Sequence, residues 1–159
     1  ALRACNVVFF DPLTEKFTEH KSPSAPCAIN RLAQDSQGIV WYSVFDSGRI
    51  GRIDPATGAM KEWNVREFTN LNVSAPYGMV VDQQDKIWFG DGGLGGALVR
   101  FDPVAEKFSY YPTPRQGDNP GLDLTRDGAL VYTMRSNNQA AIGIFWPDVS
   151  RMSGYGAFR

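Results

Sequence analysis

The chain has one histidine, His20, and it is the first candidate for acid–base chemistry or metal binding, because an imidazole titrates near neutral pH and is a common metal ligand. His20 nevertheless stands as far after an Asp-Pro pair as the aromatic residues Trp63 and Tyr111 do later in the chain, and as Tyr155 does after a Trp-Pro pair. Aromatic residues at such a repeated position are expected to pack on outer strands. We therefore interpret His20 as a packing residue, and the sequence predicts no catalytic residue.

A glycine-rich segment, Asp91-Gly-Gly-Leu-Gly-Gly96, is the second place where chemistry could occur. It lacks the Lys-Ser/Thr of a phosphate-binding loop, and no helix pattern follows it. Two interpretations remain: a flexible loop between antiparallel strands, or a place where a ligand approaches bare backbone N–H groups. Asp91 is also the one candidate for a metal ligand, and a single carboxylate predicts weak binding because hard cations take several oxygen ligands.

Cys5 and Cys27 are the only cysteines. No Cys-x-x-Cys or histidine-rich spacing accompanies them, which argues against zinc and haem sites. One disulfide in an oxidising compartment and two buried free thiols are equally compatible with the sequence. The compartment stays open on this reasoning, with a periplasmic or secreted location favoured.

The overall composition argues against two classes of partner. The 16 basic and 17 acidic residues are interspersed, and the formal net charge is −1. Neither nucleic acid nor an anionic membrane surface is therefore expected as a partner. The longest apolar runs, such as 140–146, are of strand length and far short of a membrane-spanning helix, so we expect no membrane span.

A repeat organises the chain. A strand, an Asp-Pro turn and a second strand recur at Asp11-Pro12, Asp54-Pro55 and Asp102-Pro103, with a degenerate copy at Trp146-Pro147. The four prolines follow one another at spacings of 43, 48 and 44 residues, which is typical of propeller blades. Asp can hydrogen-bond the backbone two residues on, and Pro presets φ, so each copy predicts a hairpin turn.

A second unit precedes each turn and consists of two short apolar strands around a polar turn, with Trp41 and Trp88 at matching positions. The two units give four strands per period, and helical spacing is nearly absent. We predict an all-β protein: a β-propeller with about three and a half four-stranded blades, as one partial domain over 1–159. The approximate blades are 5–24 (half a blade), 27–66, 74–114 and 119–157, and the two tryptophans are expected between blades.

Strands A and B of the first blade, counted from the propeller axis, have no counterpart in the sequence. A two-stranded sheet is marginal in water, and a propeller needs about four blades to enclose its axis. We therefore expect the chain to be completed by additional blades or by another protein chain.

The loops that open around the axis at one end of a propeller are where ligands usually bind. In this chain they carry Asn30, Asp46, Arg49, Tyr77, Asp91, Arg115, Arg135 and Asn137. The mixed charges suit a small polar ligand, a protein surface or an ordinary solvated rim. Tyr77 and Asp91 belong to one blade, and we predict that both border the axial cavity.

Three segments, 49–58, 74–82 and 86–91, carry a family resemblance: the chain resembles the streptogramin lyase (virginiamycin B lyase-like) propellers. The resemblance implies a larger, seven-bladed propeller and, for the family's enzymes, magnesium-assisted elimination that opens a cyclic depsipeptide. The family's His position holds Asn30, Tyr77 and Pro120 here, and its Glu position holds Val44, Asp91 and Met134.

These substitutions favour a non-catalytic function, since Tyr and Asn do not readily serve as a base tuned to neutral pH. The leading hypothesis is a binding or assembly module. A metal-assisted lyase or lactonase-type enzyme, with magnesium and catalytic residues in other blades, is the second. An extracytoplasmic accessory subunit, completed by a neighbour through strand addition, is the third.

Overall fold

The structure is a computed structural model that describes residues 5–24, 27–66, 74–93, 96–115, 117–136 and 140–147. The described residues form thirteen strands: β1 (Asn6–Asp11), β2 (Lys16–Lys21), β3 (Ile29–Gln34), β4 (Val40–Val44), β5 (Arg49–Ile53), β6 (Met60–Asn64), β7 (Pro76–Val81), β8 (Ile87–Asp91), β9 (Ala97–Asp102), β10 (Lys107–Pro112), β11 (Leu122–Leu124), β12 (Leu130–Met134) and β13 (Ala141–Phe145). The fourth strand expected near Tyr155 lies outside these residues. No helix in the described ranges has the length and apolar character needed to cross a membrane.

The strands form four antiparallel sheets in chain order: β1-β2, β3-β4-β5-β6, β7-β8-β9-β10 and β11-β12-β13. The first strands of the last three sheets, β3, β7 and β11, contact one another in turn. This is the arrangement of propeller blades around an axis. The predicted all-β propeller is confirmed, and the described sheets form an open arc, so the chain is part of a propeller.

The Asp-Pro hairpins form as predicted. Each Asp accepts a hydrogen bond from the backbone N–H two residues on, at 2.9 Å for Asp11, 2.8 Å for Asp54 and 2.9 Å for Asp102. The residue four positions after each Asp has a positive φ, which Gly58 tolerates because it has no Cβ. The corresponding positions in the other two turns hold Glu15 and Glu106.

Aromatic residues fill the interfaces between blades. Trp41 stacks on Trp63 at 5.5 Å between ring centroids, and Phe101 of the third blade lies 5.0 Å from Trp63. Trp88 packs in the same way toward the fourth blade, 5.8 Å from Phe145. Both tryptophans are buried, so their predicted position between blades is confirmed.

His20 lies in the register predicted for it. It pairs with Val7 across the sheet, as Trp63 pairs with Ile50 and Tyr111 with Leu98 in later blades. Its ring meets Phe9 edge-on at 5.6 Å, and a Cβ placed on Gly58 would come within 2.7 Å of its Cε1 atom. His20 therefore packs between the first two blades.

A disulfide bond joins Cys5 and Cys27, whose Cα atoms lie 5.2 Å apart. Both residues are buried in the cluster that joins the first and second blades, together with Val7 and Tyr42. Of the two alternatives left by the sequence, the structure contains the bonded pair.

Candidate functional site

Tyr77 is the centre of the candidate site. It lies near the start of β7, where the pairing with β8 shifts register between Pro76 and Met79. The half-buried Tyr77 ring meets Phe45 of the second blade edge-on at 5.3 Å. The guanidinium groups of Arg31 and Arg135 lie 5.1 Å and 5.9 Å from its centroid, within cation–π distance.

Residues from three consecutive blades therefore meet at one aromatic ring. We name this group the Tyr77 cluster; its members are Arg31, Phe45, Tyr77, Asp118 and Arg135.

A buried hydroxyl connects two strands beneath the cluster. Ser43, which is fully buried in β4, accepts a hydrogen bond from the backbone N–H of Arg31 at 3.2 Å. The same hydroxyl donates to the backbone carbonyl of Tyr77 at 3.1 Å. The inner strands of the second and third blades are thereby fixed relative to each other, which preorganises the side chains that they carry. Arg31 also donates from Nη1 to the carbonyl of Asn30 at 3.0 Å.

An ion pair positions the second arginine. Arg135 donates to both carboxylate oxygens of Asp118, from Nε at 3.1 Å and from Nη2 at 2.5 Å. Hydrogen bonding and charge from Asp118 raise the pKa of Arg135, with a smaller contribution from Tyr77. Backbone hydrogen bonds between the same two residues, at 3.2 and 2.9 Å, hold their loops together. The guanidinium is thus fixed in the fork geometry that arginine forms with carboxylates.

Asp91 has a different environment from Tyr77. Its side chain is 1% exposed and accepts hydrogen bonds from Ser74 Oγ at 2.7 Å, from the N–H of Ala75 at 2.7 Å and from the N–H of Gly93 at 2.9 Å. The hydroxyl of Tyr110 donates a fourth hydrogen bond. Burial, followed by the charge of Asp91, raises the pKa of Tyr110, so this phenol remains a donor. Asp91 therefore closes the third blade, and its contacts are not those of Tyr77.

The residues around Asp91 do not fit the magnesium ion that the family resemblance implies. Both carboxylate oxygens already accept hydrogen bonds from inside the blade, whereas a hard cation needs several available oxygen ligands. Within the described ranges, no three His, Cys, Asp or Glu residues lie close enough to hold a metal ion.

The other predicted site residues are not part of the Tyr77 cluster. Asp46 is exposed, and Arg66 donates to its backbone carbonyl at 3.5 Å. Arg49 lines a separate depression beside Ser24 and Glu62. Arg115 is exposed and accepts a hydrogen bond from Thr113 at its carbonyl. Asn137 lies outside the described residues.

Sequence reasoning missed Arg31, Phe45 and Asp118. Phe45 directly follows Val44, and Val44 occupies the same position in the repeat as Asp91. The match between blades therefore places Phe45 in the loop after the second strand of its blade. Phe45 is apolar and so carries no polar signal of a ligand site, although an aromatic side chain can form the floor of a site.

Comparison with solved structures agrees with this architecture. A catalytically inactive virginiamycin B lyase from Staphylococcus aureus, with quinupristin, superimposes with a TM-score of 0.79 at 27% identity, covering 92% of this chain and 47% of that one. A streptogramin B lyase structure gives 0.71 at 18% identity, covering 89% and 48%. The predicted resemblance to the virginiamycin B lyase-like propellers is confirmed.

Propellers of other kinds share the fold as well. The WD40 propeller domain of Doa1 gives a TM-score of 0.72 at 15% identity, covering 96% of this chain and 47% of that one. The chain thus spans about half the length of the lyases that it resembles. No protein-family model and no curated protein matches the chain.

Proposed function

We propose that this virginiamycin B lyase-like chain is a non-catalytic binding module whose ligand docks on the Tyr77 cluster. The observation that carries the proposal is the meeting of two guanidinium groups and two aromatic rings, contributed by three blades, at one end of the inner strands. Sites where several rigid elements converge are typical ligand sites in folds of this kind.

The chemistry of the cluster favours a small polar ligand with an anionic group and a flat face. Arg31 is exposed and adds positive charge beside the ring, and guanidinium groups bind carboxylates through paired N–H donors. The half-buried ring of Tyr77 offers an aromatic surface to the rest of the ligand. Tyr77 stands where the lyases of the resembled family carry His, which favours binding over elimination.

Titration of backbone amide NMR signals with benzoate tests the proposal, with benzyl alcohol as the uncharged control ligand. We expect benzoate to shift the amides of Tyr77 and Arg31, and Tyr77→Leu and Arg31→Gln each to weaken binding by about tenfold, which corresponds to about 1.4 kcal/mol. The matched control, Arg126→Gln, removes an exposed arginine in the β11–β12 turn and should leave the affinity unchanged.

Two results would contradict the binding proposal: equal binding of benzoate and benzyl alcohol, or no effect of either cluster variant. A separate incubation with quinupristin, followed by mass spectrometry, tests the enzyme alternative. We expect no ring opening by these residues, with or without magnesium.

A second proposed function, assembly, is supported by apolar side chains on the outward faces of the first and last sheets. Val8, Phe10 and Phe17 are 46%, 53% and 69% exposed on the first sheet. On the last, Ile142 and Ile144 are 75% and 50% exposed. Residues next to them in the same strands, such as Val7 and Phe145, face the other side of the sheet and pack toward the adjacent blade. We propose that further blades of one propeller cover both faces, since similar apolar faces are buried between the described blades.

Sedimentation velocity distinguishes the assembly proposal from an isolated arc. The 159 residues expressed alone should self-associate, and replacing Phe10, Phe17 and Ile142 with Ser should reduce that association. A monomer that unfolds cooperatively without the replacements would refute the proposal.

An extracytoplasmic location is part of the same proposal, because disulfides persist in oxidising compartments. Thiol titration of the denatured native protein should detect no free thiol.

A further inference from the structure

The turns between the first two strands of each blade lie at the end opposite the Tyr77 cluster, and their repeated geometry allows one blade interface to be compared with the next. In the second and third blades, Asp35 and Asp82 accept the indole N–H of Trp41 and Trp88, at 2.9 and 2.7 Å. Thr125 occupies the same position in the fourth blade, and the backbone hydrogen bonds of the three turns match. Residues at equal distances from these positions within the turns are therefore structurally equivalent, and the strand register extends the match to the residues after Phe101 and Phe145.

A polar contact closes the edge between the second and third blades. Ser36 donates from its N–H and its hydroxyl to the carboxylate of Asp85, at 2.9 and 2.6 Å. Beside it, and within the third blade, Lys86 forms an ion pair with Asp102 at 2.9 Å. We call the Ser36–Asp85 contact the turn clasp, because it joins the turns of adjacent blades directly.

The equivalent edge between the third and fourth blades lacks the turn clasp. Gln83 replaces Ser36 and Gly128 replaces Asp85 at this edge. Within the fourth blade, Ala129 and Trp146 stand at the positions that Lys86 and Asp102 occupy in the third, so the ion pair is also lost there. A Cβ added to Gly128 would have no atom within 4 Å, so the turn is open at the position where Asp85 stands in the third blade.

A cavity of about 280 Å³ lies at this edge. One part of its lining is apolar, from Leu124, Trp146 and Pro147, and another is polar, from Gln83, Arg100 and Thr125. The guanidinium of Arg100 lies 5.9 Å from the centroid of the buried Trp88 ring, which also borders the cavity. Asp82 and Asp127 line the cavity as well, so residues of both charges border it.

We propose that this cavity is a binding site for a single neutral sugar ring. A pyranose has apolar C–H faces that pack against an indole and a rim of hydroxyls that both donate and accept hydrogen bonds, which matches a lining that is part aromatic and part polar. The volume lies just below the range of pockets that hold drug-sized ligands, so it suits one ring. Mixed charges favour an uncharged ligand. The site is distinct from the Tyr77 cluster in position and in ligand chemistry.

The turn clasp provides the test, because it can be transferred from one edge to the other. The double variant Gln83→Ser, Gly128→Asp places the clasp residues at the open edge. Gly128 has a φ of 85°, and an aspartate there must adopt the left-handed conformation that Asp85 already has at the equivalent position, with a φ of 55°. Trp146→Ala is the second variant, which removes the aromatic wall and leaves the turn backbone unchanged.

Sugar binding to the native protein is measured by saturation-transfer NMR. The probes are methyl glucoside, methyl galactoside and methyl mannoside. We expect transfer to the ring C–H protons of at least one glycoside, and about tenfold weaker binding in the clasp variant and in Trp146→Ala. Lys21→Gln, at an exposed position in β2 of the first blade, is the matched control and should bind as the native protein does. No transfer to any of the three glycosides, or unchanged affinity in a folded clasp variant or in Trp146→Ala, would overturn the proposal.

Discussion

The buried carboxylate of Asp91 has a structural role at a position where the sequence predicted a ligand site. Asp91 ends β8 and accepts four hydrogen bonds, from two backbone N–H groups and two hydroxyls. These donors satisfy a charge that would otherwise be costly to bury. The closure of the third blade therefore depends on the charge of Asp91 as well as on its shape.

Asp91→Asn tests this role at the residue scale. The amide has nearly the same shape, but its NH₂ group would face donors that need an acceptor. We expect a loss of about 2 kcal/mol in the free energy of unfolding, measured by urea denaturation. Asp46→Asn, at an exposed loop position, is the control and should change stability little. Equal stability of the two variants would contradict the structural role.

At the element scale, the Asp-Pro hairpins are the units that the repeat encodes. Each turn Asp binds backbone and side-chain donors, and these contacts lower the pKa of Asp11 and Asp54. For Asp102 a hydrogen bond from Lys86, followed by backbone N–H groups, lowers the pKa to about 2. The carboxylate form is therefore favoured in the folded state.

This shift predicts acid sensitivity with a defined sign. A depressed folded pKa stabilises the protein above the unfolded value near 4, and the contribution is lost as the pH falls toward about 2. Asp102→Asn should therefore lower the urea midpoint at about pH 6 and have a much smaller effect at about pH 2. A loss of equal size at both pH values would show that the charge of Asp102 does not contribute.

At the scale of the whole molecule, blades are joined mainly by side-chain packing, and the Cys5–Cys27 bond adds a covalent link between the first and second. The first sheet has only two described strands, and one of its faces is exposed. We therefore expect the disulfide to contribute more to the attachment of the first sheet than to the attachment of the four-stranded sheets.

Replacing both cysteines with Ala should cost about 3 kcal/mol, the value expected for a loop closed by residues 22 apart. Hydrogen exchange should then become faster in β1 and β2, while β7–β10 stay protected. Uniformly faster exchange across all four sheets would contradict a local role for the bond.

The sequence by itself determined the strands, the turns and the blade period. Asp-Pro chemistry is local, since a carboxylate and a fixed φ act within four residues, and the tryptophans repeat in step with the sheet. The position of His20 was readable for the same reason, because the register of a hairpin follows from its turn.

Only the tertiary structure decided which side chains meet. Arg31, Tyr77 and Arg135 lie far apart in the sequence and come together because adjacent blades bring their inner strands and loops to one end. Asp91 and Tyr77 share a blade, yet the register shift between Pro76 and Met79 and the donors around Asp91 give them separate surroundings. Contacts between blades depend on packing across sheets, which no local rule of turns or periodicity specifies.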